Sequence, residues 1–199
     1  TGTGGTTTDI GMLPDGYADA ASQDTFCSGT TCTVSKLYDQ SGNGNHLTVA
    51  KKGRTDGGQY AAMDDFESTA TKGPITAGGH KVYSLKMAAR EGYRLAAVGK
   101  GMSTGNSENG VYMLADGTYS GTAFCWDFGN VSPDPMTYGV MNTLFFGTGY
   151  WGKGAGSGPW FLGDFEGGVW AGGSGASTVV NNSNPSMKVP FAFGILKTS

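Results

Sequence analysis

The sequence predicts an all-β protein, built as a two-sheet antiparallel β-sandwich, and three observations predict it. Apolar and polar residues alternate with a period of two in several short runs. Glycine supplies 36 of the 199 residues, far above the roughly 7% usual in globular chains. Helical spacing is almost absent, and clusters of Gly, Asn, Ser and Asp cut the alternating runs into short strands joined by turns.

In chain order, a helical turn is expected only at 16–23, where Tyr17, Ala18, Ala20 and Ala21 fall at helical spacing. Strands are expected at 34–38, 47–50, 80–87, 93–96, 111–114, 122–128, 142–146, 160–164 and 189–196. Glycine-dense segments at 52–58, 99–110 and 147–158 interrupt them. A phosphate cradle needs a following helix and a Lys-Ser/Thr pair, whereas Gly158-Pro159 leads into a strand-like run. The third segment is therefore expected to bring backbone close to a flat ligand or rim. Composition does not shift along the chain and no internal repeat appears, so residues 1–199 are read as a single domain.

A net charge of −3 leaves no basic field for a phosphate backbone, so nucleic acid is not an expected partner. No apolar run approaches the roughly 18 residues that span a bilayer, so no membrane partner is expected either. Cys27-Ser-Gly-Thr-Thr-Cys32 closes a small polar loop and suits a disulfide in an oxidising, secreted setting. His46 and His80, the two histidines, have no ligand spacing to a cysteine pair, so neither metal nor cofactor is expected. Cys125, between Phe124 and Trp126, reads as an inert core thiol. Asn130-Val-Ser132 and Asn181-Asn-Ser183 are glycosylation sequons, the first weakened by Pro133.

The most informative stretch is Gly158-Pro-Trp-Phe-Leu-Gly-Asp164-Phe-Glu166-Gly-Gly-Val-Trp170. Residues i and i+2 of a strand share a face, so Asp164 and Glu166 are expected to project into one space. Trp160, Phe161, Leu162, Phe165 and Trp170 would wall it with dry aromatic surface. Paired acids against rings are the makeup of a sugar-cleaving cleft. The plainer reading is an edge strand with an acidic solvent face. A serine or cysteine hydrolase is excluded, because no Gly-x-Ser-x-Gly elbow opens a helix and general bases are scarce. Tyr38-Asp-Gln-Ser-Gly-Asn-Gly-Asn-His-Leu47 is read as a structural turn like those of concanavalin-like and laminin-G-like sandwiches.

Read together and in order, Asp24-Thr-Phe-Cys-Ser-Gly-Thr-Thr-Cys32, Leu37-Tyr-Asp-Gln-Ser-Gly-Asn-Gly-Asn-His-Leu-Thr48, Phe124-Cys-Trp-Asp-Phe-Gly-Asn130, the Trp151 to Trp160 glycine series and Asp164-Phe-Glu166 resemble the catalytic domain of the fungal-type α-L-arabinofuranosidase B family, glycoside hydrolase family 54. The resemblance runs from about Thr6 to Leu196. It implies a concanavalin-like sandwich, or jelly roll, and a retaining mechanism without metal. Glu166 is then the nucleophile, Asp164 binds furanose hydroxyls, and Trp151 lines the sugar pocket.

The chain departs from the family pattern in several places. Phe124-Cys125 stands where the family has adjacent disulfide-bonded cysteines, so Phe124 is expected to cover the sugar face while Cys125 stays free. Gly167 and Gly168 replace amide side chains, leaving backbone to make those hydrogen bonds. The family's acid/base aspartate lies in a Gly-Asp-Asn segment that nothing before Ser199 matches. Asp127 and Asp134 are the in-chain acids near the motif series. The chain is thus expected to be an internal segment of a longer, otherwise incomplete sandwich, with the acid supplied by another segment or a companion chain. The expected function is a secreted hydrolase releasing terminal α-L-arabinofuranosyl residues from plant polysaccharides. The alternative is a catalytically silent carbohydrate-binding or structural sandwich, laminin-G-like in the version that needs calcium.

Overall fold

The computed structural model describes residues 5–52, 63–95, 97–104, 107–119, 125–131, 141–148, 153–165 and 180–198. They fall into two compact units, Thr1–Lys100 and Gly101–Ser199. Among the described residues no helix is long and apolar enough to cross a membrane.

In the first unit Asp19 caps α1 (Ala20–Phe26), accepting from the Ser22 amide at 3.0 Å and the Ser22 hydroxyl at 2.6 Å. The helix therefore starts later than the expected 16–23, since a capping carboxylate satisfies first-turn N–H groups. Gly16, at φ 88°, belongs instead to the preceding turn, where the Leu13 amide donates to the Tyr17 carbonyl at 2.7 Å. Cys27 ends the helix and is disulfide-bonded to Cys32, with Cα atoms 5.5 Å apart.

β1 (Lys36–Leu37) pairs antiparallel with β2 (Leu47–Val49). The segment between them is the expected turn. The Asp39 carboxylate accepts from the Ser41 amide at 2.8 Å, the Ser41 hydroxyl at 2.9 Å and the Asn45 amide at 2.9 Å. Those bonds hold its oxygens inside the loop.

β3 (Pro74–Ala77) and β4 (His80–Tyr83) form a hairpin through Gly78 and Gly79, at φ 55° and 85°. Two consecutive positive-φ residues make a turn whose twist matches that of the strands it joins. β5 (Tyr93–Arg94) adds to β2 to complete a three-stranded sheet. Buried Ser68 ties these pieces together: its amide donates to the Tyr93 hydroxyl at 2.8 Å and its own hydroxyl to the Lys86 carbonyl at 2.9 Å.

The second unit contains β6 (Asn109–Ala115), β7 (Cys125–Val131), β8 (Met141–Gly147), β9 (Lys153–Gly154), β10 (Trp160–Phe165), β11 (Val180–Asn181) and β12 (Ala192–Thr198). β10, β8 and β7 form an antiparallel sheet with β8 at its centre, β12 pairs antiparallel with β6, and β9 pairs parallel with β11. β8 is buried continuously from Thr143 to Gly147. Consecutive buried residues lie on both faces of the strand, so Leu144-Phe-Phe146 read as an apolar run without alternation. Phe145, Trp160 and Leu162 make the buried core cluster. On the β6–β12 pair, Tyr112, Leu114, Phe193 and Ile195 are each more than half exposed.

Candidate active site

Register fixes which side chains share a face of the β10-β8-β7 sheet. Trp160 lies opposite Gly147, and Gly147 opposite Cys125; in the next rows come Leu162, Phe145 and Asp127, then Asp164, Thr143 and Gly129. These rows alternate with Phe161, Phe146 and Trp126, and with Gly163, Leu144 and Phe128, which point the other way. One face thus carries Asp164, Thr143 and Asp127 together with Phe145 and Leu162 of the buried core cluster.

Asp164 is 8% exposed and Thr143 1% exposed. The Thr143 hydroxyl donates to the Asp127 carboxylate at 3.3 Å, while Asp127 itself is exposed. A carboxylate in so dry a setting interacts strongly with any donor brought to it. Chemically, the face suits recognition of hydroxyl groups.

The expected aromatic wall is corrected in part. Trp160 and Leu162 are on the Asp164 side but are spent on the core. Phe161 points to the opposite face, where its ring lies 4.4 Å from Phe146, because neighbours on a strand alternate. Gly194 of β12 has no Cβ, and one placed there would be 2.6 Å from the Phe161 ring.

Residues 153–158 of the third glycine segment lie against a flat group of the chain itself. The Trp160 indole N–H donates to the Ala155 carbonyl at 2.8 Å. A Cβ on Gly154 would meet the indole nitrogen at 2.6 Å, and one on Gly158 would lie 2.9 Å from its six-membered ring. The Ser186 hydroxyl donates to the Gly158 carbonyl at 2.7 Å, and the Asn184 amide group to the Phe161 carbonyl at 2.8 Å. Bare backbone is needed at these positions to admit Trp160.

Glu166, Gly167, Gly168, Trp151, Phe124 and Asp134 lie outside the described residues, as do Trp170 and the side chains of Cys125 and Phe165. Cys125 opens β7, in the row of Trp160. The Cys27–Cys32 disulfide is present in the first unit. Thr143 was not singled out in the sequence; its signal is one hydroxyl inside the apolar run Met141-Asn-Thr-Leu-Phe-Phe146. Among the described residues no group of three or more His, Cys, Asp or Glu is placed to hold a metal ion.

A family model described as α-L-arabinofuranosidase B, catalytic, matches residues 2–199. The chain is 42% identical over 200 residues to α-L-arabinofuranosidase B of Aspergillus oryzae, covering 98% of this chain and 38% of that protein. It is 39% identical over 199 residues to an α-L-arabinofuranosidase of Hypocrea jecorina, covering 98% and 39%. A GH54 α-L-arabinofuranosidase soaked with a cyclic sulfate inhibitor matches with a TM-score of 0.80 at 37% identity, over 96% of this chain and 40% of that one. An arabinofuranosidase complexed with arabinofuranosyl-α-1,2-xylobiose matches with a TM-score of 0.80 at 36% identity, over 96% and 40%. The chain thus spans 38% to 40% of the length of these relatives. The expected fold class, an all-β antiparallel β-sandwich, is the one it shares with them.

Proposed function

Because the chain belongs to the α-L-arabinofuranosidase B catalytic family, we propose that it is a secreted, retaining glycoside hydrolase that releases terminal α-L-arabinofuranosyl residues from arabinose-containing plant polysaccharides. The observation that carries this reading is Asp164, buried at 8% exposure on a strand that leads to a second carboxylate two residues on. A carboxylate in so dry a setting binds a hydroxyl donor more strongly than one surrounded by water does.

In the proposed reaction Glu166 attacks the anomeric carbon as the bond to the leaving oxygen breaks, giving a glycosyl ester through an oxocarbenium-like state. Water then hydrolyses the ester with overall retention. Asp164 accepts hydrogen bonds from furanose hydroxyls, Trp151 and Phe124 cover the ring, and the backbone of Cys125, Gly167 and Gly168 supplies the remaining contacts. The proton donor must stand on the other side of the scissile bond from the nucleophile. Asp127 shares the sheet face of Asp164, and the donor is proposed to come from a companion chain or a further segment. The Cys27–Cys32 disulfide supports an oxidising, extracellular setting.

An aryl leaving group needs little protonation, so the chain by itself should release about one equivalent of nitrophenolate from 4-nitrophenyl α-L-arabinofuranoside and gain one covalent sugar by intact mass. Glu166→Gln should abolish both at unchanged circular dichroism. Equal release by the variant sinks the nucleophile assignment. Sugar binding without release or labelling means a silent sandwich.

A further inference from the structure

We propose that Asp127 is a further sugar-binding residue of this site and that Thr143 is the positioning residue that aims it. The proposal rests on the reading of Asp164 as a ligand of the furanose. Register sets Thr143 directly between Asp164 on β10 and Gly129 on β7, with Asp127 one row away on the same face. Gly129 is exposed and carries no side chain, so no side chain of β7 stands in the row of Asp164. A Cβ there would lie 2.5 Å from the Asn142 carbonyl oxygen, so that row stays bare.

Thr143 is 1% exposed and donates its hydroxyl to the Asp127 carboxylate at 3.3 Å. That hydroxyl orients the acid that accepts from it, and Asp127 is exposed, so its carboxylate stays accessible from solvent. An oriented carboxylate loses less entropy on capturing a ligand. Ionised, it accepts only, which matches a polyol that presents several O–H donors. Asp164 and Asp127 would then grip hydroxyls from two edges of one ring. Thr143 spaces them and touches no substrate.

The test uses the full chain, with free L-arabinose for calorimetric binding and 4-nitrophenyl α-L-arabinofuranoside for the single-turnover release, where KM and kcat stand for the half-saturating concentration and limiting rate of that release. Asp127→Ala should raise KM and weaken arabinose binding by roughly ten-fold or more, the scale of a hydrogen bond to a charged group, with the melting temperature held. Thr143→Val should raise KM by a smaller factor at nearly constant kcat, and Thr143→Ser, which keeps the hydroxyl, should recover most of that loss. A purely structural hydroxyl would instead lower the melting temperature and leave KM alone. Arabinose affinity within about two-fold of the parent for Asp127→Ala overturns the proposal. Loss of nitrophenolate release in Glu166→Gln alongside that result would leave the hydrolase reading standing. A parent chain that neither binds arabinose nor reacts overturns both.

Discussion

Gly158 and Trp160 meet through a missing atom: a Cβ on Gly158 would stand 2.9 Å from Cζ3 of the Trp160 ring, and the glycine holds φ at 74°. The ring cannot swing aside without breaking its 2.8 Å bond to the Ala155 carbonyl. Gly158→Ala should therefore lose at least the roughly 1–2 kcal/mol that a left-handed backbone costs an L-residue, plus the displacement of a core indole. Urea unfolding should show a lower midpoint at an unchanged slope. An unaltered midpoint would mean that Trp160 is not anchored as described.

Asp24 joins α1 to β4. Its carboxylate accepts from the Lys81 ammonium at 2.6 Å and the Tyr83 hydroxyl at 2.5 Å. The bond to Lys81, then that to Tyr83, holds Asp24 below the ordinary carboxylate range, and the same bond to Asp24 raises Lys81. A lowered acid contributes stability that is complete above its unfolded value, about 3.9, and lost as pH falls through the folded one; a raised lysine contributes below about 10.4 and loses it as pH rises further. Both groups are solvated, so the effect is small and salt-sensitive. Asp24→Asn should flatten both flanks of the stability profile, read as urea midpoints in low salt, and an unchanged acid flank would contradict the pairing.

What was legible in the sequence followed period and punctuation. The apolar run at 111–114 and the candidate strand at 142–146, which ends in Leu-Phe-Phe, fall within β6 and β8, each of which lies in an extended pairing. The hairpin of β3 and β4 was missed on its first strand because Pro74 opens it and only a few residues follow. Ala77-Gly-Gly-His80 was the available signal. β9 and β11, at two residues each, have no period to read. Within the site, Asp164 was visible as a carboxylate in an apolar run. Thr143 was not, because its role comes from lateral register with β10 and β7, which spacing along one strand does not encode.

Asp65 tests the opposite sign. Burial raises its pKa above the ordinary range, against the pull of the nearby Arg90 charge. The carboxylate packs where Gly92 has no side chain, and its backbone amide is fixed to the Ala50 carbonyl at 2.9 Å. The folded chain therefore holds this proton more tightly than the unfolded one does. Stability from this group is complete below the unfolded value of about 3.9 and is lost as pH rises through the raised folded value. At neutral pH the ionised form is a net cost. Asp65→Asn keeps the shape and removes the charge, so it should melt at a higher temperature than the parent at about pH 7, and the advantage should vanish near pH 3. A variant that melts lower at neutral pH would show that attraction to Arg90 outweighs desolvation, making Asp65 a structural anchor of the first unit.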